Sequence, residues 1–143
     1  GQIGLEPTLN QYLDKMLAGT AELKRVLKPT GTCLWNHGDS YGGGDGTNKN
    51  GSSGSVKQKR GINTNISKKL SSNVPDKSLL LQAHRLAISM VDEQGWILRN
   101  VVVWHKPNVM PSSVRDRFTV DYEPVFFFSK SKKYWFETQY EPH

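Results

Sequence analysis

Three stretches of the chain combine residue types that could meet a substrate. The richest runs Trp104-His105-Lys106-Pro107-Asn108-Val109-Met110-Pro111-Ser112-Ser113-Val114-Arg115-Asp116-Arg117-Phe118. Lys106, Arg115 and Arg117 suit phosphate oxygens, and Asn108, Ser112 and Ser113 can add hydrogen bonds to a sugar-phosphate backbone or a base edge. Pro107 and Pro111 stiffen the segment by fixing φ. The same composition equally suits a surface loop whose arginines pair with Asp116 and Asp121, so the run alone leaves both readings open. The second stretch is Asn36-His37-Gly38-Asp39-Ser40-Tyr41, directly after an apolar run. If that run is a strand of an open α/β sheet, these polar residues lie at its carboxyl end, where ligand crevices form. Asp39 equally suits a turn, since its side chain readily bonds nearby backbone N–H groups. The third is the glycine cluster Gly42 to Gly46. It lacks the strand–loop–helix context and the Lys-Ser/Thr or dinucleotide spacing of a phosphate cradle, and it reads as a flexible connection.

Other chemistries are disfavoured. His37, His84, His105 and His143 have no metal-ligand spacing, and the acids are scattered rather than paired. His84 falls in a helical pattern and reads as structural. The single cysteine, Cys33, excludes an internal disulfide and makes a zinc site unattractive; inside an apolar run it reads as a buried, inert thiol. Phe126 to Phe128 read as core, while Trp35 and Trp104 keep the option of stacking on a base.

The elements that must position these residues are readable. Thr8 to Gln11 forms a capping box after Pro7. Leu9, Tyr12, Leu13, Met16, Leu17, Leu23, Val26 and Leu27 follow at helical spacing, closed by Pro29 and Gly31. Thr32-Cys33-Leu34-Trp35-Asn36 reads as a buried strand of a parallel sheet covered on both faces. From Ser40 to Pro75 the chain turns to Gly, Ser, Asn and Lys, and a mobile loop is expected over 42–72. A second helix is expected over Lys77 to Gln94, capped by Asp76 or Ser78 and stopped by Gly95. Trp96 to His105 and Pro124 to Ser129 read as strands that pair as an antiparallel hairpin at the sheet edge, with the loop Asn108 to Val120 at its tip. Helix, turn and buried strand in this order imply an α/β fold of the doubly wound kind.

The bulk properties agree with one compact domain. The chain has 143 residues, 36% hydrophobic and 22% charged, and a net charge of +6. The charge favours a polyanionic partner, though only as a whole-molecule tendency. No run approaches the ~20 apolar residues of a membrane span, and Gly1 to Glu6 has no signal-peptide pattern. A cytoplasmic location is the expectation.

Taken in order, these segments resemble the bacterial and phage site-specific DNA amino-methyltransferases, which act on cytosine N4 or adenine N6, in the permuted order where the catalytic motif precedes the cofactor motif. The resemblance rests on Gly-Gln-Ile-Gly-Leu-Glu (Gly1 to Glu6), Arg25-Val26-Leu27-Lys28-Pro29, Gly38-Asp39-Ser40-Tyr41, Gly95-Trp96 and Leu98-Arg99. It continues through Trp104-His105-Lys106-Pro107-Asn108, Met110-Pro111-Ser112-Ser113-Val114-Arg115-Asp116-Arg117, Glu123, and Ser129-Lys130-Ser131. It covers nearly the whole chain outside the glycine-rich loop. It implies part of a Rossmann-like sheet and transfer of a methyl group from S-adenosylmethionine to an exocyclic amino group in double-stranded DNA. The target base must leave the stack for that transfer.

Two departures shape what the resemblance implies. The seven prolines include no adjacent pair, so the family's Ser/Asp-Pro-Pro-aromatic tetrapeptide, which grips the amino group, is absent. The Phe-x-Gly-x-Gly cofactor loop is absent too. Tyr122 stands where relatives often carry His before the glutamate. The chain is therefore expected to be a partial catalytic domain, inactive alone and not binding the cofactor by itself, with no catalytic residue of its own. On this reading Lys106, Asn108, Ser112, Ser113, Arg115 and Arg117 face DNA, and Asn36, Asp39 and Trp104 line the base pocket. A non-catalytic DNA-binding remnant is the alternative. In either case the sheet edge where a catalytic strand is missing would favour self-association.

Overall fold

The computed structural model describes residues 3–42, 74–110 and 112–140. The expected mobile loop over 42–72 lies outside the described residues except for Gly42. Helix α1 (Leu9–Val26) begins as its capping box predicts, with Thr8 Oγ1 accepting from Gln11 N at 3.2 Å. Strand β1 (Thr32–Asn36), helix α2 (Gln82–Asp92), and strands β2 (Ile97–His105) and β3 (Tyr122–Ser129) follow. The sheet order is β1-β3-β2, and both pairings are antiparallel. The predicted β2–β3 hairpin is present, with β3 as the middle strand of the described sheet.

Alternation along the strands divides the sheet into two faces. Phe126 and Phe128 point to the helices, beside Trp35 and Cys33 of β1 and Val101 and Leu98 of β2. They pack with Trp96 and with Ala83, Leu86, Ala87 and Met90 of α2 into one core, while Leu13, Met16, Leu17 and Leu23 of α1 close its flank. The Trp96 and Phe128 rings meet at 5.9 Å and 61°, a favourable edge contact. Gln94 ties the helices together: its Oε1 accepts from Thr20 Oγ1 and Trp96 Nε1, both at 3.0 Å, and its Nε2 donates to Leu17 O at 2.5 Å. The other face carries Leu34, Val125, Phe127, Val102 and Trp104. Tyr134 and Phe136 of the C-terminal segment pack over Phe127 there.

Two sequence expectations are corrected. Strand β1 is not covered on both faces in a parallel sheet. It lies antiparallel to β3, has no second neighbour among the described residues, and leaves Leu34 69% exposed. A short apolar run reads the same whether one or both faces are buried. The second helix begins at Gln82 rather than near Lys77, and neither Asp76 nor Ser78 caps it. Its N-cap is Leu81, in the left-handed region at φ 55 with no side-chain cap of its own. The residues before it are drawn instead into a backbone ladder with the end of β1. Gly42 N donates to Ser78 O (2.7 Å), Lys77 N to Gly42 O (3.0 Å) and Leu80 N to Ser40 O (2.8 Å). Those tertiary bonds satisfy groups that a longer helix would otherwise have used.

No helix among the described residues is long and apolar enough to cross a membrane. Phe128 is fully buried, so Phe128→Ala should destabilise the chain by about 3–5 kcal/mol, read from urea unfolding. A loss under 1 kcal/mol would show that β3 does not anchor this core.

Candidate nucleic-acid interface

The ladder between residues 40–42 and 77–80 brings the end of β1 beside the start of α2. Asp39 secures this join. Its Oδ1 accepts from Ser40 N at 2.8 Å and from Gln82 N at 3.2 Å, capping from a distance a helix that has no local cap. Asp39 thus serves a turn and a helix start together, by the backbone bonding that its residue type favours.

Opposite stands the tip of the β2–β3 hairpin. Between the two is a cleft of about 680 Å³, lined by Gly38, Asp39 and Tyr41 on one side, Leu79, Leu81, Ala83 and His84 at the base, and residues of the 106–124 segment on the other. That size falls in the range of small-ligand clefts, about 300–1,000 Å³. Apolar Val109, Met110, Phe118, Val120 and Pro124 alternate there with Lys106, Ser112, Arg117 and Glu123. Met110 is 86% exposed and Phe118 96%, so the cleft mouth presents apolar side chains beside cations.

The fold therefore unites four of the residues singled out in the sequence: Asp39, Lys106, Ser112 and Arg117. Asn108, Ser113 and Arg115 are exposed on the same loop but do not line the cleft. Asn36 lies at the end of β1, its Nδ2 donating to Pro124 O at 3.4 Å. Trp104 faces the sheet side away from the helices, half-exposed, with Lys106 Nζ 5.4 Å from its ring centre. It is not a wall of this cleft.

The charges are arranged differently from a simple loop of self-paired arginines. Lys106 Nζ pairs with Glu123 Oε1. That hydrogen bond, and a second from Asn36, hold the Glu123 carboxyl below its ordinary range. Asp116 pairs with Lys77 at 2.6 Å, and Asp121 lies 3.8 Å from His105. Arg117 instead stacks on Tyr41, its guanidinium carbon 3.6 Å from the ring centre, a contact on the order of 0.5–1 kcal/mol at an exposed site. Tyr41, Glu123 and Lys77 are the positions that sequence reading did not assign to the site. Tyr41 and Glu123 stood in the quoted motifs, but nothing in their spacing announces the contacts they make.

Behind the cleft, Tyr12 Oη and His37 Nε2 are 2.9 Å apart, and burial lowers the His37 pKa. His37 Nδ1 and Trp35 Nε1 are buried without protein partners. Burial raises the Cys33 pKa, which keeps it in the unreactive thiol form. Among the described residues no group of three metal-ligating side chains converges.

Over residues 1–143 the chain matches the family described as DNA methylase, the N6/N4 class. The chain belongs to the N6/N4 DNA methylase family. It is 40% identical to the type II methyltransferase M.SfiI of Streptomyces fimbriatus over 135 residues, 94% of this chain and 28% of that protein. It is 38% identical to M.XycI of Xanthomonas campestris pv. cyanopsidis over 138 residues, 96% of this chain and 44% of the relative. For M.SmaI of Serratia marcescens the identity is 34% over 137 residues, covering 96% and 45%. The chain thus spans less than half the length of each of these relatives. No solved structure matches it.

Two measurements follow from this geometry. Asp39→Ala should cost about 0.5–2 kcal/mol, the scale of a lost helix cap, and Asp39→Asn, which keeps an acceptor, should cost less; equal losses in urea unfolding would argue against capping. Because Glu123 titrates below its ordinary 4.5 in the folded chain, its contribution is full above pH 4.5 and is lost as pH falls through the folded-state value. Glu123→Gln should flatten that part of the acid unfolding profile, and an unchanged profile would refute the pairing.

Proposed function

We propose that the chain is the DNA-facing part of a modification methylase that moves a methyl group from S-adenosylmethionine to the exocyclic amino group of cytosine (N4) or adenine (N6) in duplex DNA. Its cleft receives the target nucleotide once that base has left the stack. The observation that carries this reading is the meeting of the β1 end with the cation-bearing 106–124 segment around one cleft. An apolar floor suits the faces of a base, and the polar groups at the mouth suit its edge and its phosphates. The sheet is read as the outer strands of a Rossmann-like methyltransferase, with the β1 edge unpaired among the described residues as the place where a catalytic strand pairs.

The roles of the chain's own residues follow. Arg115 and Arg117 meet backbone phosphates, aided by Ser112, Ser113 and Asn108. Lys106, tied to Glu123, presents a donor beside an acceptor at the cleft wall. Asp39 and Asn36 act at one remove, by fixing the β1 end and the start of β3. Trp104 supports Lys106 from the outer face. S-adenosylmethionine supplies an electrophilic methyl on a sulfonium cation. The family's Phe-x-Gly-x-Gly cofactor loop has no counterpart in this chain. The methyl donor is therefore expected to be held outside the described residues, and the 143-residue chain alone is expected to transfer no methyl group.

One observation favours a second reading, a DNA-binding module without catalysis: no two of the seven prolines are adjacent, so the family's amide-gripping tetrapeptide has no counterpart in this chain. Methyl transfer by the complete parent protein, with none by the 143-residue chain, separates the two.

The shared step is testable first. Binding to a mixed-sequence duplex should weaken with salt at a slope of about −0.9 per phosphate contacted, and Arg115→Ala and Arg117→Ala should each shallow that slope by about one contact. Binding indifferent to salt and to both substitutions would remove the DNA-facing assignment. The β1 edge left unpaired among the described residues further predicts concentration-dependent self-association in light scattering; a strictly monomeric chain at high concentration would count against it.

A further inference from the structure

Lys77 lies outside every motif that marks the family resemblance, and its geometry is unusual. Its backbone sits in the left-handed region at φ 66, a conformation side chains rarely adopt outside glycine. The ladder holds it there through Lys77 N to Gly42 O at 3.0 Å, with Ser78 N bonding back to Pro75 O at 3.1 Å. Such strain persists only where the surroundings impose it. Held this way, the ammonium reaches Asp116 Oδ2 at 2.6 Å, with side chains 82% and 54% exposed. One residue on, Arg117 stacks on Tyr41, and Tyr41 is bridged to Leu79. Consecutive residues of the hairpin loop thus grip neighbouring positions of the ladder, which brings Lys77 to the same rim as Arg117. Asp116 is the acid between Arg115 and Arg117, and it is the group occupying Lys77.

Resting on the DNA-facing reading above, we propose that Lys77 is a phosphate-contacting residue for duplex DNA, with Asp116 as the resident counter-anion that the DNA backbone displaces. An exposed ion pair is screened and weakly held. A duplex phosphate offers the same ammonium a charged acceptor, and its binding releases condensed counterions, which the carboxylate cannot match. Asp116, once displaced, turns to solvent, and Lys77 joins the cationic rim with Arg115 and Arg117.

The test has an unusual sign: neutralising a residue of the DNA-facing loop should tighten binding. With the 143-residue chain and a fluorescent mixed-sequence duplex at low salt, Asp116→Asn should bind about threefold to tenfold tighter with a steeper salt slope, by about one contact. The Lys77→Ala/Asp116→Asn double variant should lose that gain. Asp14→Asn, which removes an equal charge from the exposed face of α1, should change affinity less than about twofold. No gain in Asp116→Asn, a gain that survives Lys77→Ala, or an equal gain in Asp14→Asn would each overturn the assignment. If Arg115→Ala and Arg117→Ala weaken binding while Asp116→Asn does nothing, the DNA-facing reading stands and the role of Lys77 alone falls. If the arginine variants are also silent, the DNA-facing reading falls with it. Unfolding midpoints, expected to be unchanged for these exposed positions, keep a folding defect from being mistaken for either result.

Discussion

The burial of Phe126 and Phe128 against α2 is the constraint on which the rest of this structure depends. β3 is flanked by β1 on one side and β2 on the other, so whatever fixes β3 fixes both walls of the cleft. Its two helix-facing rings lie 6.3 Å apart and contact Trp96 and His84. That packing fixes where α2 lies against the sheet. Asp39 and the 77–80 ladder then join the end of β1 to the start of α2. The hairpin tip emerges from the far end of the same strand. The cleft is a gap between two elements anchored by one hydrophobic contact set.

Around that anchor the molecule uses polar groups as joints. Gln94 links α1, the end of α2 and Trp96 through both ends of its amide. Asp39 links the turn after β1 to α2. Buried Glu6 collects Gly4 N and Lys15 at the start of the chain, both at 2.7 Å. The Gln94 and Asp39 joints reach across elements distant in sequence, the Glu6 joint is local, and all three replace hydrogen bonds that water would otherwise make. The rim of the cleft is built in the opposite manner. Its contacts, Arg117 on Tyr41 and Lys77 with Asp116, are exposed and exchangeable. Exposed contacts of that kind suit the proposed exchange of internal partners for phosphates.

Family membership sharpens this picture. The relatives named above are type II methyltransferases at least twice as long as the stretch they share with this chain. Among the described residues the shared stretch holds a small hydrophobic core and the cleft beside it. Among the described residues β1 pairs on one edge only, and Leu34 and Val102 are exposed on the sheet face away from the helices.

Much was legible in the residues themselves. The capping box at Thr8, the helical stripe that follows and the two hairpin strands are local patterns, set by dihedral preference and by period, and they appear where expected. The run from Trp104 to Arg117 marked the family through residue identity, which needs no coordinates. Other features were not legible, because their partners are far apart in sequence. Leu34 carries no sign of whether one face or two will be covered. Nothing around Lys77 shows that tertiary backbone bonds with Gly42 will outcompete a helix start. Asp39 could be placed at a turn from its type, but its hold on Gln82 requires α2 to be docked. Arg117 could be expected to seek a partner, yet only packing decided that Tyr41 would be the partner and that Asp116 would go to Lys77. Local conformational energy is written along the chain, whereas the choice among competing long-range partners is made only when the core closes.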